Sequence, residues 1–115
     1  MPSYLYLFRG GELPKNRSPE EMQKNMQKWF TWIVGLRKSG NYEAGDPLQP
    51  GGKLVKGKKK VVTDGPYAEA KDLVGGFLKV TASTLDEAVE LTRGCPIFEV
   101  DGEVEVRQVQ EMHPR

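Results

Sequence analysis

The stretch TDGPYAEAKD, residues 63 to 72, gathers the residue types that move protons. Asp64 precedes Gly65-Pro66, Tyr67 follows, and Glu69 and Lys71 stand two residues apart. A carboxylate that takes a proton and a cation that holds the resulting anion are sufficient for cofactor-free proton transfer. Asp64 and Glu69 are therefore candidate bases, and Lys71 is a candidate anion holder. Two readings stand for Asp64. An Asx turn would bond its carboxylate to the N–H two residues on, but Pro66 has none. Its oxygen can instead accept from the Tyr67 N–H as an N-cap, with Pro66 in the first turn of a short helical segment, which makes the stretch a structural corner. The other reading gives Asp64 a part in binding or proton transfer, because sites cluster in loops between strands. Glu69 and Lys71 point to one side only if the segment is extended, and as a solvated pair they contribute under about 1 kcal/mol.

Tyr6, Tyr67, Lys79 and Arg107 complete the set of ligand-contact candidates. A guanidinium on a sheet face needs a carboxylate partner, and Glu105 or Glu69 can supply it, so an internal ion pair competes with ligand binding at Arg107. Tyr6 is read equally as an interface residue. Cys95, in Gly-Cys-Pro after a helix end, reads as a small buried residue, since no nearby histidine activates it. Pro50-Gly51-Gly52-Lys53 lacks the spacing and hydroxyl of a phosphate loop, and no His, Cys and carboxylate cluster has metal-ligand spacing. The expectation is no cofactor and no metal.

Seventeen basic and sixteen acidic residues leave a formal charge of +1, so no global field draws the chain to nucleic acid or to an anionic membrane. One cysteine cannot staple a fold, and no charged-apolar-small leader opens the sequence, which points to a reducing cytoplasm. The apolar run from Trp29 to Leu36 is far short of the about 20 residues a membrane span needs. At 115 residues the chain is expected to be one domain, residues 1–115.

The elements that must position these side chains follow from periodicity. SYLYLFR, Ser3 to Arg9, alternates Tyr4, Tyr6 and Phe8 with Leu5 and Leu7, as a strand with two apolar faces does. Ser18-Pro19-Glu20-Glu21 is a capping box with proline at the first helical position, and a helix runs from there to Gly40. Met22, Met26, Trp29, Phe30 and Ile33 form its expected core stripe, with Trp32 off that stripe at a rim or interface. The Gly- and Pro-rich middle is read as an irregular hairpin, Leu54-Val55 against Val61-Val62 with a tight turn near Gly57 and a solvated lysine tip at KGKKK. FLKVTA after Gly75-Gly76 is a strand. Thr84-Leu85-Asp86-Glu87 caps a second helix with Leu85, Ala88, Val89 and Thr92 inward, ended by Gly94 and Pro96. Glu103 to Val109 is the last strand.

Strand, helix, hairpin, strand, helix, strand is a ferredoxin-like α+β pattern, βαββαβ with an added hairpin. Two helices cover one face of such a sheet, and Leu5, Leu7, Leu78, Val80, Val104 and Val106 are expected beneath them. The other face then holds Tyr4, Tyr6, Phe8, Phe77, Lys79, Thr81, Glu105 and Arg107. Four aromatics in the open predict a second copy of the chain against them, hence a homodimer, with a small-molecule pocket between the sheets or at their rim.

VTDGPYAEAKD, VGGFLKV, STLDEAVEL, GCP and VEVRQV, taken in that order, resemble the DGPF-domain branch of the YCII-related proteins, with Tyr67 where the family has phenylalanine. The resemblance implies a dimeric α+β barrel related to muconolactone isomerases. It also implies an active-site cleft with no established reaction, and company with extracytoplasmic-function sigma factors. Other YCII-like members carry a histidine and aspartate pair, whereas His113, the lone histidine here, falls outside the matching stretch. Three roles remain open: a small dimer that binds an anionic organic molecule and transfers protons, with Asp64 or Glu69 as base and Lys71 or Arg107 holding the anion; a non-catalytic regulator or adaptor linked to a sigma factor; and a plain structural dimer.

Overall fold

A computed structural model describes residues 1–11, 18–49, 51–64 and 73–112. Within them, strands β1 (Ser3–Gly10), β2 (Tyr42–Pro47), β5 (Val74–Thr81) and β6 (Gly102–Gln108) form an antiparallel sheet in the order β2-β5-β1-β6. Helices α1 (Pro19–Lys38) and α2 (Leu85–Leu91) cross over one face. Two 3-10 turns, Thr92–Gly94 and Pro96–Val100, then lead back to β6. This is the ferredoxin-like α+β arrangement, and the sheet stays open within one chain.

Both helices begin where their capping residues place them. Ser18 accepts from the Glu21 N–H at 3.1 Å and Thr84 from the Glu87 N–H at 3.1 Å, each satisfying a donor that the first turn leaves orphaned. The connection between β2 and β5 grows into an arm, a separate two-stranded sheet of β3 (Leu54–Lys56) and β4 (Val61–Thr63). Its turn closes with the Lys60 N–H on the Gly57 carbonyl at 3.1 Å, and Gly57 takes a φ of +79° that glycine adopts without a steric cost.

The expected hairpin is present, but the strand that enters the main sheet after α1 is YEAGDP, residues 42 to 47, which the irregular-hairpin reading passed over. Its low strand propensity is overcome at a sheet edge. Gly45 lies so close to β5 that a Cβ there would sit 2.7 Å from the Phe77 carbonyl oxygen. Pro47 ends the strand where no ladder N–H is required.

The face assignment of β1 is the reverse of the expectation. Tyr4, Tyr6 and Phe8 lie beneath the helices with Leu78 and Val80, and Val104 and Val106 pack against them; Leu5 and Leu7 face outward. Register requires this, because directly paired residues share a face: Tyr6 opposes Leu78 and Val106, whereas Leu5 opposes Lys79 and Arg107. The larger aromatic set fills the space between layers, where Tyr6 stacks on Trp32 with ring centroids 6.2 Å apart and Phe8 meets the edge of Trp29 at 5.3 Å.

Helix α1 is rotated accordingly. Trp29, Trp32, Ile33 and Leu36 meet the sheet, with the Trp32 indole N–H donating to the Leu91 carbonyl at 2.9 Å. Trp32 is therefore core and not rim. Met22, Met26 and Phe30, expected in the core, are exposed by 56%, 60% and 60%. Ala88 on α2 and Thr92 just after it are inward as expected, while Leu85 and Val89 are exposed.

Candidate functional site

The helix-free face of the main sheet brings together the described side chains with the most chemistry. Lys79, Leu5 and Arg107 lie in one row across β5, β1 and β6, and Asp46, Phe77, Leu7 and Glu105 form the next row across β2, β5, β1 and β6. Two strand spacings separate the backbones of Lys79 and Arg107, about 10 Å. Between these cations lies an apolar strip of Leu5, Leu7 and Phe77, each partly buried.

Each end of the strip carries an ion cluster. Glu43 sits where a bulge shifts the β2 register, and its carboxylate accepts from the Ser3 hydroxyl at 2.6 Å with Lys79 Nζ 3.5 Å away. At the other end Glu105 accepts from Arg9 Nη1, and its second oxygen lies 3.9 Å from Arg107 Nε. A contact of 3.9 Å is too long for a hydrogen bond, so Arg9 takes most of the carboxylate and Arg107 has its side chain 70% exposed. The face thus presents an apolar floor with a cation at either side. Such a floor suits a flat organic molecule bearing negative charge.

Lys79 and Arg107 share this face as the sequence suggests. Tyr6 does not: it is fully buried on the helix side, its hydroxyl donating to the Ala88 carbonyl. Burial, reinforced by nearby Cys95, pushes the Tyr6 phenol well above its ordinary range. Asp64 stands at the end of β4 on the arm, exposed, and pairs with Lys53. Tyr67, Glu69 and Lys71 lie outside the described residues, as does any cap from Asp64 to Tyr67. Arg9, Ser3, Glu43 and Asp46 were not singled out from sequence. Arg9 shares the parity of Leu5 and Leu7 and would have followed from a correct choice of face, whereas Glu43 and Asp46 required β2 to be recognised.

A second concavity, a groove of about 1200 Å³, runs between α1 and the 3-10 segment. Trp32, Leu36 and Cys95 line it, and the exposed ion pairs Lys28–Glu99 and Arg93–Glu90 border it. Burial pushes the Cys95 thiol up to about 12, against a smaller opposing effect of its backbone hydrogen bond at Ile97. The thiol is protonated at neutral pH and makes no nucleophile there.

Comparison with known proteins places this geometry in a family. The YCII-related domain matches residues 5–113, a span that includes His113, contrary to the expectation from the sequence motifs. The chain belongs to the YCII-related family. Among solved structures, 5-chloro-2-hydroxyhydroquinone dehydrochlorinase from Burkholderia phenoliruptrix AC1100, in complex with 2,5-dihydroxybenzoquinone, has the same fold. It aligns with a TM-score of 0.56 at 17% identity, over 96% of this chain and 95% of that one. None of the curated proteins matches. Among the described residues of this YCII-related chain, no helix is long and apolar enough to cross a membrane.

Proposed function

We propose that this YCII-related protein, of the DGPF branch, is a cytoplasmic homodimer that binds a small, flat, anionic organic molecule over the helix-free face of its sheet. The observation that carries the reading is the row Lys79-Leu5-Arg107, two cationic residues whose backbones lie about 10 Å apart across an apolar strip. A second sheet laid on this face removes Leu5, Leu7 and Phe77 from water and lowers the local dielectric around the charges. The ligand's anionic groups pair with Arg107 and Lys79, and its ring lies on Phe77 and Leu7. The dehydrochlorinase with this fold, bound to a dihydroxybenzoquinone, supports a ligand of that class.

Any chemistry is cofactor-free proton transfer. Asp64 or Glu69 is the base, with Tyr67 and Lys71 from the same corner completing the contacts. Arg107 stabilises the anion that deprotonation leaves behind. Tyr6 takes no part, its hydroxyl being committed to the helix side. The sigma-factor association rests on family company and on no residue of this face.

The test is a calorimetric titration with 2,5-dihydroxybenzoquinone and a panel of small aromatic carboxylates, on wild type, Arg107→Gln and Lys79→Gln. Saturable binding that weakens about tenfold in each variant, the equivalent of one charge-assisted contact, is expected. Binding equal in all three proteins would move the ligand elsewhere.

A further inference from the structure

Two apolar surfaces lie outside both the core and the helix-free face. On α1, Met22, Met26, Phe30 and Val34 recur every four residues and are exposed by 56%, 60%, 60% and 43%. On the arm, Val55 opposes Val62 across the β3–β4 ladder, exposed by 60% and 59%. A two-stranded hairpin is marginal in water without a surface to pack against, so a free arm with a paired valine knob lacks its support.

The two surfaces fit each other. From Met22 to Val34 the helix stripe runs about 18 Å at 1.5 Å per residue. Three-residue strands and a turn give the arm about 15 Å. Their charges also match: the arm tip carries Lys56, Lys58, Lys59 and Lys60, and the first turn of α1 carries Glu20 and Glu21. An arm laid along α1 with its tip at the helix N-terminus places unlike charges together at that end.

The geometry points to an exchange contact between two copies of this chain: the β3–β4 arm of one seats Val55 and Val62 on the Met22-Met26-Phe30 stripe of the other. A second copy is the occupant because each chain carries one donor and one acceptor for this contact, so exchange leaves neither unpartnered.

Disulfide trapping between two singly substituted proteins tests it, one carrying Val62→Cys and the other Met26→Cys. Native Cys95 is buried and protonated at neutral pH and does not compete. Under mild oxidation the mixture is expected to form the mixed disulfide in clear excess over either self-linked product. Raising the salt, which screens the exposed end charges, should reduce its yield. Absence of the mixed product in protein that still sediments as a dimer overturns the exchange contact while leaving sheet-to-sheet pairing intact. Linkage confined within single chains of a Val62→Cys/Met26→Cys double variant overturns it in favour of the arm's own helix. Failure of the sheet pairing is read separately, by sedimentation of a Leu7→Lys variant.

Discussion

The Tyr6 hydroxyl, on one of the two inner strands of the sheet, donates to the main-chain carbonyl of Ala88 on α2. Both residues are fully buried, so this bond satisfies two polar groups that water cannot reach. Tyr6→Phe keeps the ring stacked on Trp32 but strands the Ala88 carbonyl. A loss of about 1–2 kcal/mol in urea unfolding is expected. Affinity for a ligand on the opposite face should not change. A fall in affinity with undiminished stability would return Tyr6 to the site.

Alkaline pH should destabilise the fold through the same layer. Cys95 holds its proton to about pH 12 when folded, against 9.0 ordinarily, and Tyr6 is likewise raised above its ordinary 10.0. Both groups favour the folded state while protonated. Their contribution is complete below pH 9, where the folded and unfolded chains are protonated alike. Above pH 9 the unfolded chain releases the thiol proton first, and stability falls with a limiting slope of about 1.4 kcal/mol per pH unit for Cys95 alone. Tyr6 steepens the fall above pH 10. Unfolding free energies measured from pH 8 to 11 should follow this curve, and Cys95→Ala should flatten its first part. A flat profile in the wild type would contradict it.

Gly45→Ala tests the close approach of β2 to β5. The added Cβ meets the Phe77 carbonyl at 2.7 Å and the Leu78 Cα at 3.0 Å, both backbone atoms of an inner strand that cannot step aside cheaply. A destabilisation of about 1–3 kcal/mol is expected from this overpacking. Hydrogen exchange should accelerate along Tyr42–Pro47 more than along β6. A variant as stable as wild type would place β2 farther from the sheet.

What could be read beforehand divides along physical lines. Helix starts were legible because capping is local: Ser18 with Glu21 and Thr84 with Glu87 carry it within four residues. The face of β1 was not. A two-residue period groups Tyr4 with Tyr6 and Phe8, but which group is buried depends on the volume left under helices elsewhere in the chain. Only the partners across the ladder, Leu78 and Val106 for Tyr6, resolve it. The stripe of α1 failed similarly: its apolar residues span a broad arc, and the sheet takes the arc centred on Trp32 and leaves Met26 and Phe30 outside. At the site, Lys79 and Arg107 were correctly grouped, since both belong to strands with a clear inward set. Arg9 and Glu43 depended on long-range register.

Asp64 pairs with Lys53 on the arm, and both side chains are largely exposed. Exposed pairs contribute about 0–1 kcal/mol, so Asp64→Asn should leave the melting temperature nearly unchanged. If Asp64 is the base, that variant retains ligand affinity and loses turnover of a proton-transfer substrate. If Glu69 is the base, Glu69→Gln shows that pattern instead. Full turnover in both variants would remove the corner at residues 63–72 from catalysis.

Leu7→Lys addresses the pairing of sheets directly. Leu7 opposes Phe77 on one side and Glu105 on the other, at the centre of the helix-free face. It makes no part of the core beneath the helices, so a lysine there can extend into water in a lone subunit. Between two apposed sheets the same ammonium meets apolar surface and the partner's cations. Glu105 beside it is already engaged by Arg9, so burying the ammonium with no carboxylate of its own costs several kcal/mol per ion, and two subunits bring two such ions together. The variant should fold with a wild-type circular dichroism spectrum and sediment as a monomer at micromolar concentration, while wild type sediments as a dimer. Ligand affinity should fall with it if the molecule lies between the sheets, and persist if Lys79 and Arg107 bind it on a single face. A Leu7→Lys protein that remains dimeric would show that the copies meet through another surface, and the row of Lys79, Leu5 and Arg107 would then be an exposed binding face instead of a buried one.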